Sequence, residues 1–374
     1  MTTTMTKERK RTRAGGTTLP TASLKRALAE VAAAVPSKHV RQVLSNVLLH
    51  NGSVTGTDLE LQVSAELPWT GDRLLLPYAR LKAIVSEARA EEVSITVDGT
   101  VAEIRAGSGT WRLPVEDAAE FPAWSPDATT LIRLPCDQFI RAVRSVVYAT
   151  DNESSRYALG AVLLEVKGGN CTFVATDGRR LACVEVEPAE EQDVDDRTVL
   201  VPAHALATMA SIASGHADSA IQLDATPNEV VATIDGCVVT AKQIDGRFPR
   251  WRDVFPKREA SASAVNVQDL LAATRAAAIV TSESSKGVTY AFSKDGVWLH
   301  GQSAESGESS VTCDLVTFGQ AATTKLDPTF VREFLSALPS DGEPEVEIEV
   351  VDGESAVVLQ CGDVRGVIMP LAKD

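Results

Sequence analysis

Three widely separated segments of this chain align with one another: "TLPTASLKRALAEV" from Thr18, "RLPCDQFIRAVRSV" from Arg133 and "AVNVQDLLAATRAA" from Ala264. Each reads as a short extended piece running into an amphipathic helix. The apolar anchors are Leu24, Leu28 and Val31, then Phe139, Val143 and Val146, then Leu270 with Thr274 and Ala277. A second trio has the same plan, "LLPYARLKAIV" from Leu75, "LVPAHALATMA" from Leu200 and "KLDPTFVREFL" from Lys325, each with a proline near the helix start. Self-similarity of this kind means that one supersecondary plan is used several times, so a fold assignment has to satisfy every copy at once.

Between the helices lie alternating runs broken by Gly and Asp, such as "EEVSITVDGTVAEIRAG", "SAIQLDATPNEVVATIDGCVVTAKQI" and "EPEVEIEVVDGESAVVLQCG". Period-two alternation with this punctuation predicts antiparallel hairpins. The expected class is therefore α+β, with three repeated domains over 17–130, 131–260 and 261–374, each with two helices packed on antiparallel sheets. Residues 1–16 are set apart: Lys7, Arg9, Lys10, Arg11 and Arg13 fall in a stretch with almost nothing to bury, which reads as a disordered basic tail.

A chain of 374 residues also exceeds what one hydrophobic core usually organises. No apolar run approaches a membrane span and the start lacks the apolar segment of a secretory signal, so a soluble cytoplasmic protein is expected. Six scattered cysteines without a C-x-x-C pair argue against a disulfide framework or zinc site. The five histidines are dispersed, and no P-loop, G-x-S-x-G or H-E-x-x-H occurs, so neither metal, cofactor nor catalytic residues are expected.

The formal net charge of -15 argues, taken alone, against a nucleic acid partner. The charges are segregated, however. With Leu24, Phe139 and Leu270 facing the core, Arg26 and Arg141 lie about 200° away and Arg144 and Arg275 about 140° away on their helices. The strands carry much of the acid, as in Glu345, Glu347 and Glu349.

Asp98-Gly99, Asp235-Gly236, Asp295-Gly296 and Asp352-Gly353 read as tight hairpin turns, and Asp177-Gly178 in "VATDGRRLACVEV" reads as one more. Comparison with "TGTDLELQVSAEL" from Thr55 shows that Thr-Asp before an outgoing strand belongs to the repeated plan, whereas Gly178, Arg179 and Arg180 are additions of the second copy. "ATDGRRLA", "QIDGRFPRWRDVFP", "LSNVLLHNGSVTGTDLEL" and the terminal "VIMPL", in order and spacing from about Leu19 to Leu371, closely resemble the bacterial β sliding clamp family, the processivity subunit of DNA polymerase III.

The resemblance implies a head-to-tail homodimeric ring with helices lining the hole around double-stranded DNA, which it encircles without reading sequence. Lys25, Arg26, Lys38, Arg141, Arg144, Arg156 and Arg275 would approach the DNA. Trp111 and Leu113, on one face of a strand, would meet Ile279 and Val280 of the other copy. A pocket for short linear peptides of the replicative polymerase, the clamp loader and repair polymerases would comprise Leu159, Thr176, Gly178, Arg180, Leu181, Pro249, Val254, Phe330, Val367, Ile368, Met369, Pro370 and Leu371. The family is non-catalytic and would be nucleoid-associated. This sequence departs from the family pattern at Arg179, where histidine is common, at Phe330, where tyrosine is common, at Asp253, where a basic residue is frequent, and in its tail "MPLAKD". Two alternatives stand beside the clamp reading: an enzyme, for which Asp177 with Arg180 would be the pair to consider, and a clamp paralogue acting as an accessory interaction scaffold.

Overall fold

A computed structural model describes residues 16–122, 124, 127–151, 157–257, 260–282, 287–339, 342 and 344–372. Residues 1–15 of the expected tail over 1–16, and Arg156, lie outside the described residues. Six α-helices occur among them: α1 (Thr21–Glu30), α2 (Tyr78–Glu87), α3 (Cys136–Val146), α4 (Ala203–Ala213), α5 (Val267–Ala277) and α6 (Pro328–Ala337). The fold is α+β, and the strand pairs described below are antiparallel.

Five of the six helices start at or beside a proline, and α5 instead follows Asn266, whose side chain accepts from the N–H groups of Gln268 and Asp269. Pro20, Pro77, Pro135 and Pro202 are N-caps with ψ of 128°, 111°, 137° and 136°, and Pro328 is the first residue of α6, behind an Asp327 side chain that accepts from the Thr329 N–H. A proline ring fixes φ near the helical value and lacks a donor, so it suits a helix entrance and little beyond it. The repeat also appears in hydrogen bonding. The first N–H of α1, α3 and α5 donates to the carbonyls of Glu91, Ser219 and Pro344, at 2.8, 3.0 and 2.9 Å, each just before a strand. Each of these helices continues into a 3₁₀ turn, Val31–Ala34, Val147–Ala149 or Ala278–Val280. The helices pack in pairs, α1 with α2, α3 with α4 and α5 with α6.

The chain divides into two compact units, Met1–Pro126 with Gly236–Thr240, and Asp127–Asp235 with Ala241–Asp374. In the first, Thr17–Pro20, Glu92–Asp98, Val101–Ala106 and Gly109–Pro114 form a four-stranded sheet in that order. Leu74–Pro77, Asn46–His50, Ser53–Thr57 and Leu61–Glu66 pair in a second run. Leu19, Leu24, Val31, Val63 and Ile104 are fully buried there.

In the second unit, Gly307–Cys313, Gly296–Ser303, Val288–Ser293 and Ala322–Leu326 make a four-stranded sheet. An eight-stranded sheet runs Arg197–Pro202, Ala161–Lys167, Asn170–Thr176, Arg180–Val186, Val364–Ile368, Val357–Cys361, Glu345–Glu349, Ser263–Asn266. It joins the second and third sequence repeats at one seam, where Leu181 faces Val367 and Cys183 faces Arg365. Gly366 sits at this seam because an added Cβ would lie 2.6 Å from the Phe334 ring of α6.

Several of the expected tight turns take other forms. Asp235 and Gly236 both have positive φ, 41° and 80°. At Asp98-Gly99 the pairing of Asp98 with Val101 puts Gly99 and Thr100 in the turn, and at Asp295-Gly296 the pairing of Ser293 with Gly296 puts Lys294 and Asp295 there. Asp352-Gly353 lies in the longer connection between Glu345–Glu349 and Val357–Cys361. Asp177-Gly178 is not a two-residue turn either: Thr176 pairs with Leu181, leaving four residues in the loop.

Candidate functional site: a cleft at the sheet seam

The loop at Asp177 is organised by side chains. Asp177 Oδ1 accepts from the N–H groups of Arg179 and Arg180, at 2.8 and 3.0 Å. Thr176 Oγ1 donates to the Arg180 carbonyl at 2.6 Å and accepts from the Gly178 N–H at 3.1 Å. Gly178 takes φ of 88°, a conformation that strains any residue with a Cβ. The Met369 N–H donates to the Arg179 carbonyl at 2.9 Å, which pins the end of the last strand to the loop.

The two arginines then diverge. Arg180 has a side chain only 10% exposed, and its Nε donates to Asp177 Oδ2 at 2.9 Å. One Nη donates to Glu333 of α6 and the other to the Tyr148 carbonyl at 2.6 Å. Its guanidinium also lies 4.5 Å from the Phe330 ring centre and 5.3 Å from that of Tyr148. A buried arginine needs this many partners, because an unpaired buried charge is costly. Arg180 thus ties the seam to α6 and to the turn after α3. Tyr148, half-buried beneath it, has its hydroxyl pKa pushed up by loss of solvent around the phenol. Arg179 is exposed, with its guanidinium 5.2 Å from the Phe330 ring centre.

Beside this loop opens a cleft of 690 Å³ with three walls. Thr176 and Gly178 to Leu181 with Val367 and Met369 form the first, the strap Pro249, Trp251 and Asp253 to Lys257 the second, and Val351 with Glu354 to Ala356 the third. Leu181, Ala356 and Val367 belong to a buried cluster with Leu163, Val174 and Cys183, against which Trp251 and Phe255 pack from the strap. Trp251 and Phe255 meet edge to face at 6.3 Å, and the cations of Arg252 and Arg365 cap them at 4.0 and 4.3 Å. Arg252 is held in turn by both oxygens of Glu165. Burial pushes the Cys183 thiol up to about 11, so it stays a neutral part of the apolar floor. An apolar trough with a few fixed polar groups suits an extended ligand with large apolar side chains.

Of the residues expected here, Thr176, Gly178, Arg180, Leu181, Pro249, Val254, Val367 and Met369 line the cleft. Leu159 and Ile368 do not: both are buried, Ile368 in the seam pairing opposite Arg180. Phe330 is buried as the ring under the two guanidiniums. Pro370 and Leu371 are half-buried beyond the lining, and the Leu371 N–H donates to the Lys325 carbonyl at 2.8 Å. The expectation missed most of the strap and the whole third wall. The aromatic run of "RFPRWRDVFPK", which has no helical or strand period, was a usable signal for the strap; "VVDGESA" offers none.

Lys25, Arg26, Lys38, Arg144 and Arg275 are exposed. Lys25 Nζ donates to the Ala88 carbonyl at 3.2 Å, and Arg26 Nε lies 3.8 Å from Glu30. Arg141, expected to approach DNA, is paired in this structure: both its Nη groups donate to Asp363 at 2.7 Å. The Arg141 hydrogen bond holds the Asp363 carboxyl below its ordinary pKa. Trp111 is half-buried on the sheet-edge strand Gly109–Pro114, while Leu113 turns into its own unit at 8% exposure. Ile279 is 79% exposed and Val280 is half-buried. Among the described residues no group of three or more His, Cys, Asp or Glu could hold a metal ion, and no helix is long and apolar enough to cross a membrane.

The chain is 26% identical over 352 residues to the beta sliding clamp of Synechococcus elongatus, covering 90% of this chain and 92% of that one. It is 24% identical over 345 residues to the beta sliding clamp of Escherichia coli K12, covering 89% and 92%. Its fold matches that of the sliding clamp, DNA polymerase III subunit beta, of Pseudomonas aeruginosa bound to griselimycin, with a TM-score of 0.89 at 23% identity, over 96% of this chain and all of that one. A DNA polymerase sliding clamp from Bacillus subtilis gives the same TM-score at 19% identity, over 97% and 100%. Residues 17–125 match the family described as DNA polymerase III beta subunit, N-terminal domain, and residues 133–250 the central domain of the same subunit. These two matches span more than half of the chain and agree with the repeated helix pairs and the sheet seam, so the chain belongs to the family of DNA polymerase III beta subunits.

Proposed function

We propose that this protein is a DNA sliding clamp: two copies join head to tail in a ring around duplex DNA, and the cleft tethers the replicative polymerase, the clamp loader and repair polymerases by their peptide segments. The observation that carries the reading is the apolar cleft at the seam, in a member of this family. Three domains over 17–130, 131–260 and 261–374 form each copy, in keeping with the thrice-repeated helix pair. Enclosure supplies retention, so the DNA-facing surface needs only a few cations. Each neutralised phosphate adds salt-dependent affinity, which would slow sliding. Lys25, Arg26, Lys38, Arg144 and Arg275 supply that sparse lining, compatible with a net charge of -15. Its activity is binding and tethering rather than catalysis, at the nucleoid.

The interface between copies uses two sheet-edge strands, Gly109–Pro114 with its Trp111 and Gly307–Cys313 with the adjoining Ile279 and Val280. Edge strands with unpaired backbone groups invite pairing with another chain. The Ser309 hydroxyl donates to the Ala277 carbonyl at 2.8 Å, which keeps the second edge next to Ile279.

Loading onto nicked circular DNA with a bacterial clamp loader and ATP, followed by gel filtration, tests the proposal. The protein should co-elute with closed circles and be lost once the circle is cut open. Equal retention on circular and linear DNA would contradict it.

A further inference from the structure

The basic tail is used by neither the ring nor the cleft. Residues 1–15 carry Lys7, Arg9, Lys10, Arg11 and Arg13 against the single acid Glu8, a net +4, so the other 359 residues carry -19. Met1, Met5 and Ala14 are the tail's only apolar side chains, too few for docking by burial. Its root is placed by the fold. Thr17 pairs with Ile95, and a Cβ on Gly16 would lie 2.6 Å from the Thr96 methyl, so the backbone stays against the strand Glu92–Asp98 as far as Gly16. The four residues Thr17–Pro20, about 13 Å of strand, then lead directly into α1 with its exposed Lys25 and Arg26. Cations of the folded body are partly engaged within the fold: Lys25 donates to the Ala88 carbonyl, Arg26 lies 3.8 Å from Glu30, and Arg141 is held by Asp363. A body with a charge of -19 repels phosphates on approach, and five cations rooted one short strand from α1 reverse that sign locally.

We propose that residues 1–15 are a second, sequence-independent DNA contact, which binds the phosphates of duplex DNA whether or not a ring encloses it. Such a contact rests on charge alone and weakens steeply with salt, so it is broken and remade at physiological ionic strength and does not arrest sliding. The test uses a fluorescein-labelled linear duplex of about 30 base pairs, read by anisotropy between about 50 and 200 mM NaCl. Each neutralised phosphate contributes about 0.9 to the log–log salt slope, so the five cations together contribute about 4. The wild type should show a slope steeper by that amount than protein lacking residues 1–15, and should lose on the order of a hundredfold more affinity across the range. A full-length variant combining Lys7→Gln, Arg9→Gln, Lys10→Gln, Arg11→Gln and Arg13→Gln should match the truncated protein, which separates charge from length. Equal slopes for wild type and truncated protein overturn the proposal, as does a glutamine variant that binds like the wild type. A synthetic peptide of residues 1–15 tests the rival occupant, the acidic body itself: binding of that peptide to the truncated protein that DNA does not displace also overturns it. Because the duplex is linear, failure of the tail contact is distinct from failure of the ring.

Discussion

Replacing Arg180 by methionine separates a seam-holding residue from a surface decoration. The substitution keeps the length of the side chain but removes its charge and its donors. Asp177, whose side chain is 10% exposed, then keeps only its two backbone donors, and the Tyr148 carbonyl loses its 2.6 Å partner. Removing one member of a buried pair costs about 3–5 kcal/mol, and an orphaned buried acceptor about 1–3 kcal/mol. Glu333 is 42% exposed and regains water, so its half of the interaction is discounted to well under about 1 kcal/mol. Methionine also retains some packing against Phe330. The net expectation is a loss of about 3 kcal/mol for Arg180→Met, against about 0.5 kcal/mol for Glu333→Gln. Urea unfolding followed by circular dichroism measures both, and at a typical slope of about 2–3 kcal/mol/M the first should lower the midpoint by more than about 1 M. Equal effects of the two substitutions, or a loss below about 1 kcal/mol for Arg180→Met, would refute the argument that burial decides the cost.

Ile279→Ala with Val280→Ala should shift the native mass toward monomer in sedimentation equilibrium, with little change in far-ultraviolet dichroism; an unchanged dimer would place the interface elsewhere. Arg144→Ser with Arg275→Ser should reduce the salt dependence of DNA binding, by about 0.9 in log–log slope for each phosphate that is no longer neutralised. Arg141→Ser should change it less than either, because Arg141 is already paired with Asp363, and Asp363→Asn should raise DNA affinity by freeing it. Asp363 also predicts an acid response. Its folded pKa is depressed by Arg141, so its stabilisation is present above the ordinary carboxylate range and is lost as pH falls through the lowered value. Urea midpoints of the wild type and Asp363→Asn should differ by a constant amount above about pH 5, draw together as pH falls through about 4, and meet only below the lowered pKa of Asp363.

The sequence by itself determined the local plan. Periods of 3.6 and 2 give helices and strands, prolines mark helix entrances at Pro20, Pro77, Pro135, Pro202 and Pro328, and the alignment of three segments exposes a repeat that the helix pairs and the recurring first-turn hydrogen bonds reproduce. It also pointed to Arg180, through comparison of copies. What it could not contain was the pairing of distant parts. The cleft exists because Leu181 meets Val367 across the seam, and because the strap from Pro249 and the connection from Val351 come to rest beside that pair. No periodicity or motif marks Glu333 and Asp363, and it is the tertiary structure that sets them against Arg180 and Arg141. The different fates of Arg179 and Arg180, neighbours in one loop, arise the same way. Side-chain periodicity is a property of a few consecutive residues, whereas burial and ion pairing depend on which elements the whole chain brings together.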